Sequence, residues 1–102
     1  GVASAQRLAS MPDIPTLSEQ GLSGFEASAW QALVAPAGVS AATVKTLNKH
    51  LVDALSSADI RARMQTLGIE PLPGTPQELA RFAAQERERW GRVVREANIK
   101  LD

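Results

Sequence analysis

The sequence predicts a helix-rich α/β chain with two or three short strands. Apolar residues recur at i, i+3 and i+4 after Ser40 and again after Thr75, the spacing that lines one face of a helix. Thr16 with Glu19, and Thr75 with Glu78, stand three residues apart. That is the capping-box spacing, in which each side chain accepts the other residue's backbone N–H. Short apolar runs closed by proline, Phe25–Ala35 before Pro36 and Ile69–Leu72 before Pro73, supply the strands, because proline cannot donate to a sheet ladder.

In chain order, Gly1–Ala5 reads as a short strand, and Arg7–Ser10 is a polar exit from it. Pro12 and Pro15 then fix φ and push the residues before them toward extended geometry. Thr16 opens a self-capped turn, and Gly21 can take the left-handed conformation that closes it. Phe25–Ala35 reads as one bent strand or two in tandem, weakened by its alanines.

Ser40 is a good N-cap, and the helix behind it carries Val44, Leu47, Leu51, Ala54 and Leu55 on one stripe. Ser57 caps a second helix with Ile60, Met64 and Leu67 on its apolar face, and Gly68 stops it. Ile69–Leu72 is a strand candidate. Thr75 caps the last helix, with Pro76 at the first helical position and Glu78 completing the box. That helix runs to about Ala97 and lines Leu79, Phe82, Trp90, Val93 and Val94 on one face. Ile99 and Leu101 form an apolar tail suited to docking on a neighbouring element.

Composition excludes several function classes. With 102 residues the chain is one small domain at most. Eleven basic residues balance eleven acidic ones, whereas a nucleic-acid binder would concentrate basic charge on one face. Without cysteine there is no thiolate metal site and no cysteine nucleophile. The lone histidine, His50, has no metal or acid–base partner at a recognisable spacing. Neither a phosphate-binding glycine loop nor a nucleophile elbow is present. These observations argue against an enzyme and call for no cofactor and no metal.

Two features of the last helix carry alternatives. Glu86 interrupts the apolar stripe of the last helix. It reads either as a stripe-edge carboxylate paired with an arginine or as a hinge-fixing hydrogen-bond acceptor. Arg81, Arg87, Arg89, Arg92 and Arg95 are interleaved with glutamates, which makes a solvated face rather than an anion site.

The order Asp13-Ile14-Pro15-Thr16-Leu17 with Glu19 and Gly21, then Trp30 ahead of Ala35-Pro36-Ala37-Gly38, then Glu86 with Trp90, resembles the C-terminal part of the Bug-type extracytoplasmic solute receptors of tripartite tricarboxylate transporters. The resemblance runs from Ala3 to Leu101. It implies a fragment of a two-lobed type II periplasmic-binding-protein fold. Residues 1–35 would then be part of the second lobe and a hinge-crossing strand, and residues 36–102 would be C-terminal helices and a strand returning to the first lobe. The implied function is capture of a small carboxylated metabolite in the periplasm by hinge closure, and its delivery to membrane transporter subunits, with no covalent chemistry.

Under that resemblance Ser4 and Ala5, at the end of the first strand, become ligand-binding candidates, since ligands of open α/β lobes sit beyond the carboxyl ends of strands. Trp30 becomes a residue of the cleft floor. From the residues alone, Ser4 is equally an ordinary strand-to-loop serine and Trp30 a core tryptophan. The resemblance also implies that an apolar face is left for absent lobes, favouring self-association or domain swapping. The alternative is a stand-alone helical protein-interaction module built from the capped helices. The segment Phe25–Ala35 separates the two: strand pairing supports the receptor, and a helix there sinks it.

Overall fold

A computed structural model describes residues 1–100 of the chain. It contains helices α1 (Ala41–Ser56), α2 (Ala58–Thr66) and α3 (Pro76–Glu96). The chain forms two compact units. One holds Gly1–Val34 and Asp53–Leu72; the other holds Ala35–Val52 and the chain from Pro73 onward. No helix among the described residues is long and apolar enough to cross a membrane.

In the first unit the amino-terminal segment folds back on the proline-bounded turn. Val2 pairs with Thr16 in an isolated parallel bridge. Its N–H donates to the Pro15 carbonyl at 2.9 Å, and its carbonyl accepts the Leu17 N–H at 2.8 Å. The Ala27 N–H then donates to the Ala3 carbonyl at 2.8 Å, so a second segment approaches the same short strand end.

The turn after Thr16 is closed at both ends, as its residues predict. At its start Thr16 and Glu19 exchange capping bonds. At its end Gly21 has φ +107°, the Leu22 N–H reaches the Leu17 carbonyl at 3.1 Å, and the Gly21 N–H reaches the Ser18 carbonyl at 3.3 Å. This pair of bonds is the Schellman closure.

The expected strands are corrected to that one bridge. Phe25–Ala35 and Ile69–Leu72 form no sheet ladder among the described residues, and neither is helical. A ladder requires repeated pairing with a strand alongside; the Ala27 N–H bond to the Ala3 carbonyl does not by itself make one. Leu33 and Val34 are therefore 72% and 84% exposed. The absence of helix over Phe25–Ala35 removes the condition that would have sunk the receptor reading.

The helix boundaries follow local chemistry. Ser40 caps α1, its Oγ accepting the Thr43 N–H at 3.1 Å. Ser57 precedes α2 with extended backbone but makes no side-chain cap. Its hydroxyl donates instead to the Ala54 carbonyl at 2.7 Å. The single residue between the helices leaves that hydroxyl beside an unsatisfied carbonyl of the last turn of α1, which outcompetes the forward cap. At the end of α2, Gly68 has φ +68°. The Ile69 N–H reaches the Met64 carbonyl at 2.8 Å, again the Schellman pattern.

In the second unit, Thr75 and Glu78 form both bonds of the capping box, and Pro76 sits at the first helical position of α3. The Asn48 amide of α1 donates to the Gly74 carbonyl at 2.8 Å, tying the approach to α3 onto α1. Replacing Thr75 by alanine should cost about 1 kcal/mol, read as a lower denaturant midpoint, whereas Thr75→Ser should cost little. Asn98 ends α3 in the left-handed conformation at φ 51°, with the Ile99 N–H on the Val94 carbonyl at 3.0 Å. Leu101, the outer half of the expected apolar tail, lies outside the described residues.

No hydrophobic side chain among the described residues is fully buried. The apolar face of α3 is half-exposed, including Phe82, Trp90, Val93 and Val94. Thr16, 3% exposed, is the buried polar residue around which the first unit closes.

Candidate functional site

The loop from Ser4 to Arg7 leaves the end of the Val2 bridge and faces the capped turn. Between them lies an open groove of about 520 Å³ lined by Ala5, Gln6, Arg7, Thr16, Ser18 and Glu19. The Ser4 hydroxyl donates to the Gln6 carbonyl at 2.6 Å, which tightens the loop. Among the described residues, no protein group accepts the backbone N–H of Ala5, Gln6 or Arg7. All three residues are exposed, so these N–H groups are open to water or to a bound acceptor.

A charged clasp closes this loop against the turn. Arg7 Nε donates to Glu19 Oε2 at 3.0 Å and to Oε1 at 3.2 Å. Arg7 Nη2 donates to Glu19 Oε1 at 3.0 Å, and Nη1 to the Pro12 carbonyl at 3.1 Å. Glu19 also accepts the Thr16 N–H at 2.7 Å, while its own N–H donates to Thr16 Oγ1 at 3.1 Å. One carboxylate thus serves the guanidinium and the capping box together. The Ser18 hydroxyl extends the network by accepting the Gly24 N–H at 3.0 Å.

The hydrogen bonds from Arg7, and then the bond from the Thr16 N–H, hold the Glu19 carboxyl below its ordinary value. The same bonding with Glu19 raises Arg7. A depressed carboxyl contributes stability that is fully present above its unfolded value and is lost as pH falls through its folded value. Glu78 behaves alike, lowered first by the Thr75 N–H. Stability should therefore hold steady above the ordinary glutamate value of 4.5 and fall on acidification below it. Denaturant unfolding in Glu19→Gln should show a shallower acid dependence than in the wild type.

The expected site residues are only partly brought together. Ala5 lines the groove and Ser4 braces it from the adjoining position. Trp30 is 41% exposed and is not among the groove's lining residues. Glu86 resolves toward its arginine-paired alternative. Its Oε2 accepts the Trp90 indole N–H at 2.9 Å, and its Oε1 lies 3.4 Å from Arg89 Nη1. The Arg89 guanidinium also sits 5.2 Å from the centre of the Trp90 ring, within cation–π range. Arg7 escaped sequence reasoning, which placed it in a polar exit. The signal available was the pair of prolines that returns the chain toward Arg7. No group of three or more metal-ligating side chains is gathered among the described residues.

The family model described as "Tripartite tricarboxylate transporter family receptor" matches residues 1–99. Protein BugT of Bordetella pertussis is 36% identical over 98% of the chain. A UPF0065 protein from the tcbD-tcbE intergenic region of a Pseudomonas species is 35% identical over 100% of it. The chain spans 31% of the length of each of these relatives. Among solved structures, "R. palustris Rpa4515 with adipate" is similar with a TM-score of 0.84 and 31% identity, covering 97% of the chain and 33% of that protein. The helix-rich part of a two-lobed type II periplasmic-binding-protein fold, expected from the sequence, is therefore the architecture adopted.

Proposed function

The chain belongs to the tripartite tricarboxylate transporter receptor family, and on that premise we propose that the full-length protein captures a small carboxylated metabolite in the periplasm. It delivers that metabolite to the membrane subunits of a tripartite tricarboxylate-type transporter. The observation that carries this reading is the similarity, at TM-score 0.84, to a protein solved with adipate.

The loop geometry supports the same ligand class. Among the described residues no protein group accepts the N–H of Ala5 or Gln6, which follow the Val2 bridge. A ligand carboxylate there accepts those N–H groups, with Ser4 and Ala5 forming the wall of the site. In the full-length receptor, Trp30, in the non-helical Phe25–Ala35 segment, belongs to the cleft floor. Capture proceeds by hinge closure and release, with no bond made or broken. In the isolated chain, the exposed apolar faces of α1 and α3 are covered by self-association.

The test is a thermal-shift screen of the full-length receptor against aliphatic dicarboxylates, tricarboxylates and amino acids. A ligand that binds only the folded state raises the midpoint with concentration. The reading expects a concentration-dependent rise with at least one carboxylate. No rise with any carboxylate overturns it.

A further inference from the structure

We propose that Arg7 and Glu19 form a positioning clasp that sets the shape of the Ser4–Gln6 loop, and that neither side chain touches the bound carboxylate. This deepens the receptor reading above and rests on it for the ligand class.

An arginine at the edge of a groove is the obvious candidate to hold a carboxylate. The geometry argues otherwise. Nε and one N–H of Nη2 bind Glu19, and one N–H of Nη1 binds the Pro12 carbonyl, so the face that would fork a carboxylate is already occupied. The pair is an ion pair at 3.0 Å, so its net charge toward the groove is close to zero. Releasing Arg7 to a ligand would leave Glu19 as an uncompensated anion on the groove wall, facing an anionic ligand. The same release would strip Glu19 of the bonds that hold it while it caps Thr16.

The clasp instead does mechanical work on the loop. Thr16 is fixed by burial and by the bridge to Val2. Glu19 is fixed to Thr16 through two hydrogen bonds. Arg7 is fixed to Glu19 by a planar fork that a lysine cannot reproduce. Both ends of the loop are thereby anchored to one turn: Val2 through the bridge and Arg7 through the fork. The backbone N–H groups between them are held in place before a ligand arrives, which lowers the ordering cost of binding.

The experiment has two arms on the full-length receptor. In the first, ¹⁵N relaxation of the unliganded protein reports the order of Ala5 and Gln6. Arg7→Lys and Glu19→Gln should both lower their order parameters relative to wild type, while residues of α3 stay unchanged. Unchanged order in Arg7→Lys overturns the clasp, whatever the ligand proves to be.

In the second arm, calorimetric titration with adipate compares the same variants. Both should bind about fivefold more weakly, a size set by the modest worth of exposed ion pairs. If Arg7 were the carboxylate's direct partner, Glu19→Gln would free it and tighten binding. Tighter binding in Glu19→Gln, or full affinity retained in Arg7→Lys, overturns the proposal. A wild type that binds no carboxylate counts against the receptor reading, and the relaxation arm still decides on the clasp.

Discussion

Ala5→Asp in the full-length receptor should weaken binding of its carboxylate ligand about a hundredfold, because like charges juxtaposed at an interface cost several kcal/mol. Ala5 lines the groove and is exposed. An aspartate there sets a carboxylate beside the N–H groups that the ligand would use, and it can accept those N–H groups itself. Ala5→Asn keeps nearly the same volume without the charge and should lose far less. Exposed substitutions away from special backbone or packing features stay within about 0.5 kcal/mol of wild-type stability. The unfolding midpoint of unliganded Ala5→Asp should therefore be nearly that of wild type. Titration calorimetry of the two variants beside wild type checks the contrast. Equal losses in both would point to shape rather than charge.

Thr16→Val should produce the largest stability loss of any single exchange in the first unit, about 1–2 kcal/mol. Thr16 is 3% exposed, and its hydroxyl accepts the Glu19 N–H at 3.1 Å. Valine keeps the shape and removes the acceptor, leaving a donor unsatisfied in a part-buried place. The loss should spread to the Arg7 clasp, because Glu19 is held by both. Thr16→Ser should retain most of the stability. Guanidinium unfolding monitored by circular dichroism separates the three proteins. A Thr16→Val midpoint equal to wild type would mean that the capping bonds contribute nothing to the fold.

Local chemistry made much of this fold legible in the sequence. The boxes at Thr16 and Thr75 and the stop at Gly68 all depend on residues within a few positions of one another. Capping and left-handed backbone are decided at that range. Ser57 shows where local reasoning divides: two acceptor and donor arrangements lay within reach of one hydroxyl, and the backward bond to Ala54 prevailed. The strands over Phe25–Ala35 and Ile69–Leu72 were misjudged for a different reason. A strand is a pairing between distant segments, and an apolar run bounded by proline carries no information about whether a neighbour is present.

The candidate site was legible in its backbone and opaque in its side chains. The rule that ligands sit beyond strand ends, with the family resemblance, singled out Ala5, and Ala5 lines the groove. Arg7 could not be joined to Glu19, since twelve residues and two prolines separate them with no periodic signal. Glu86 was conspicuous because it broke an apolar stripe. Its bonds to Trp90 and Arg89 are short-range contacts along one helix, of the kind that i, i+3 and i, i+4 spacing allows.

The most direct test of the account is calorimetric titration of a series of aliphatic dicarboxylates, tricarboxylates and amino acids into the full-length receptor. The account predicts saturable one-to-one binding of at least one member of the series, abolished or weakened about a hundredfold by Ala5→Asp. Saturable binding that Ala5→Asp leaves untouched would contradict the placement of the carboxylate at the Ser4–Gln6 loop. No saturable binding across the whole series would contradict the carboxylate-receptor reading itself.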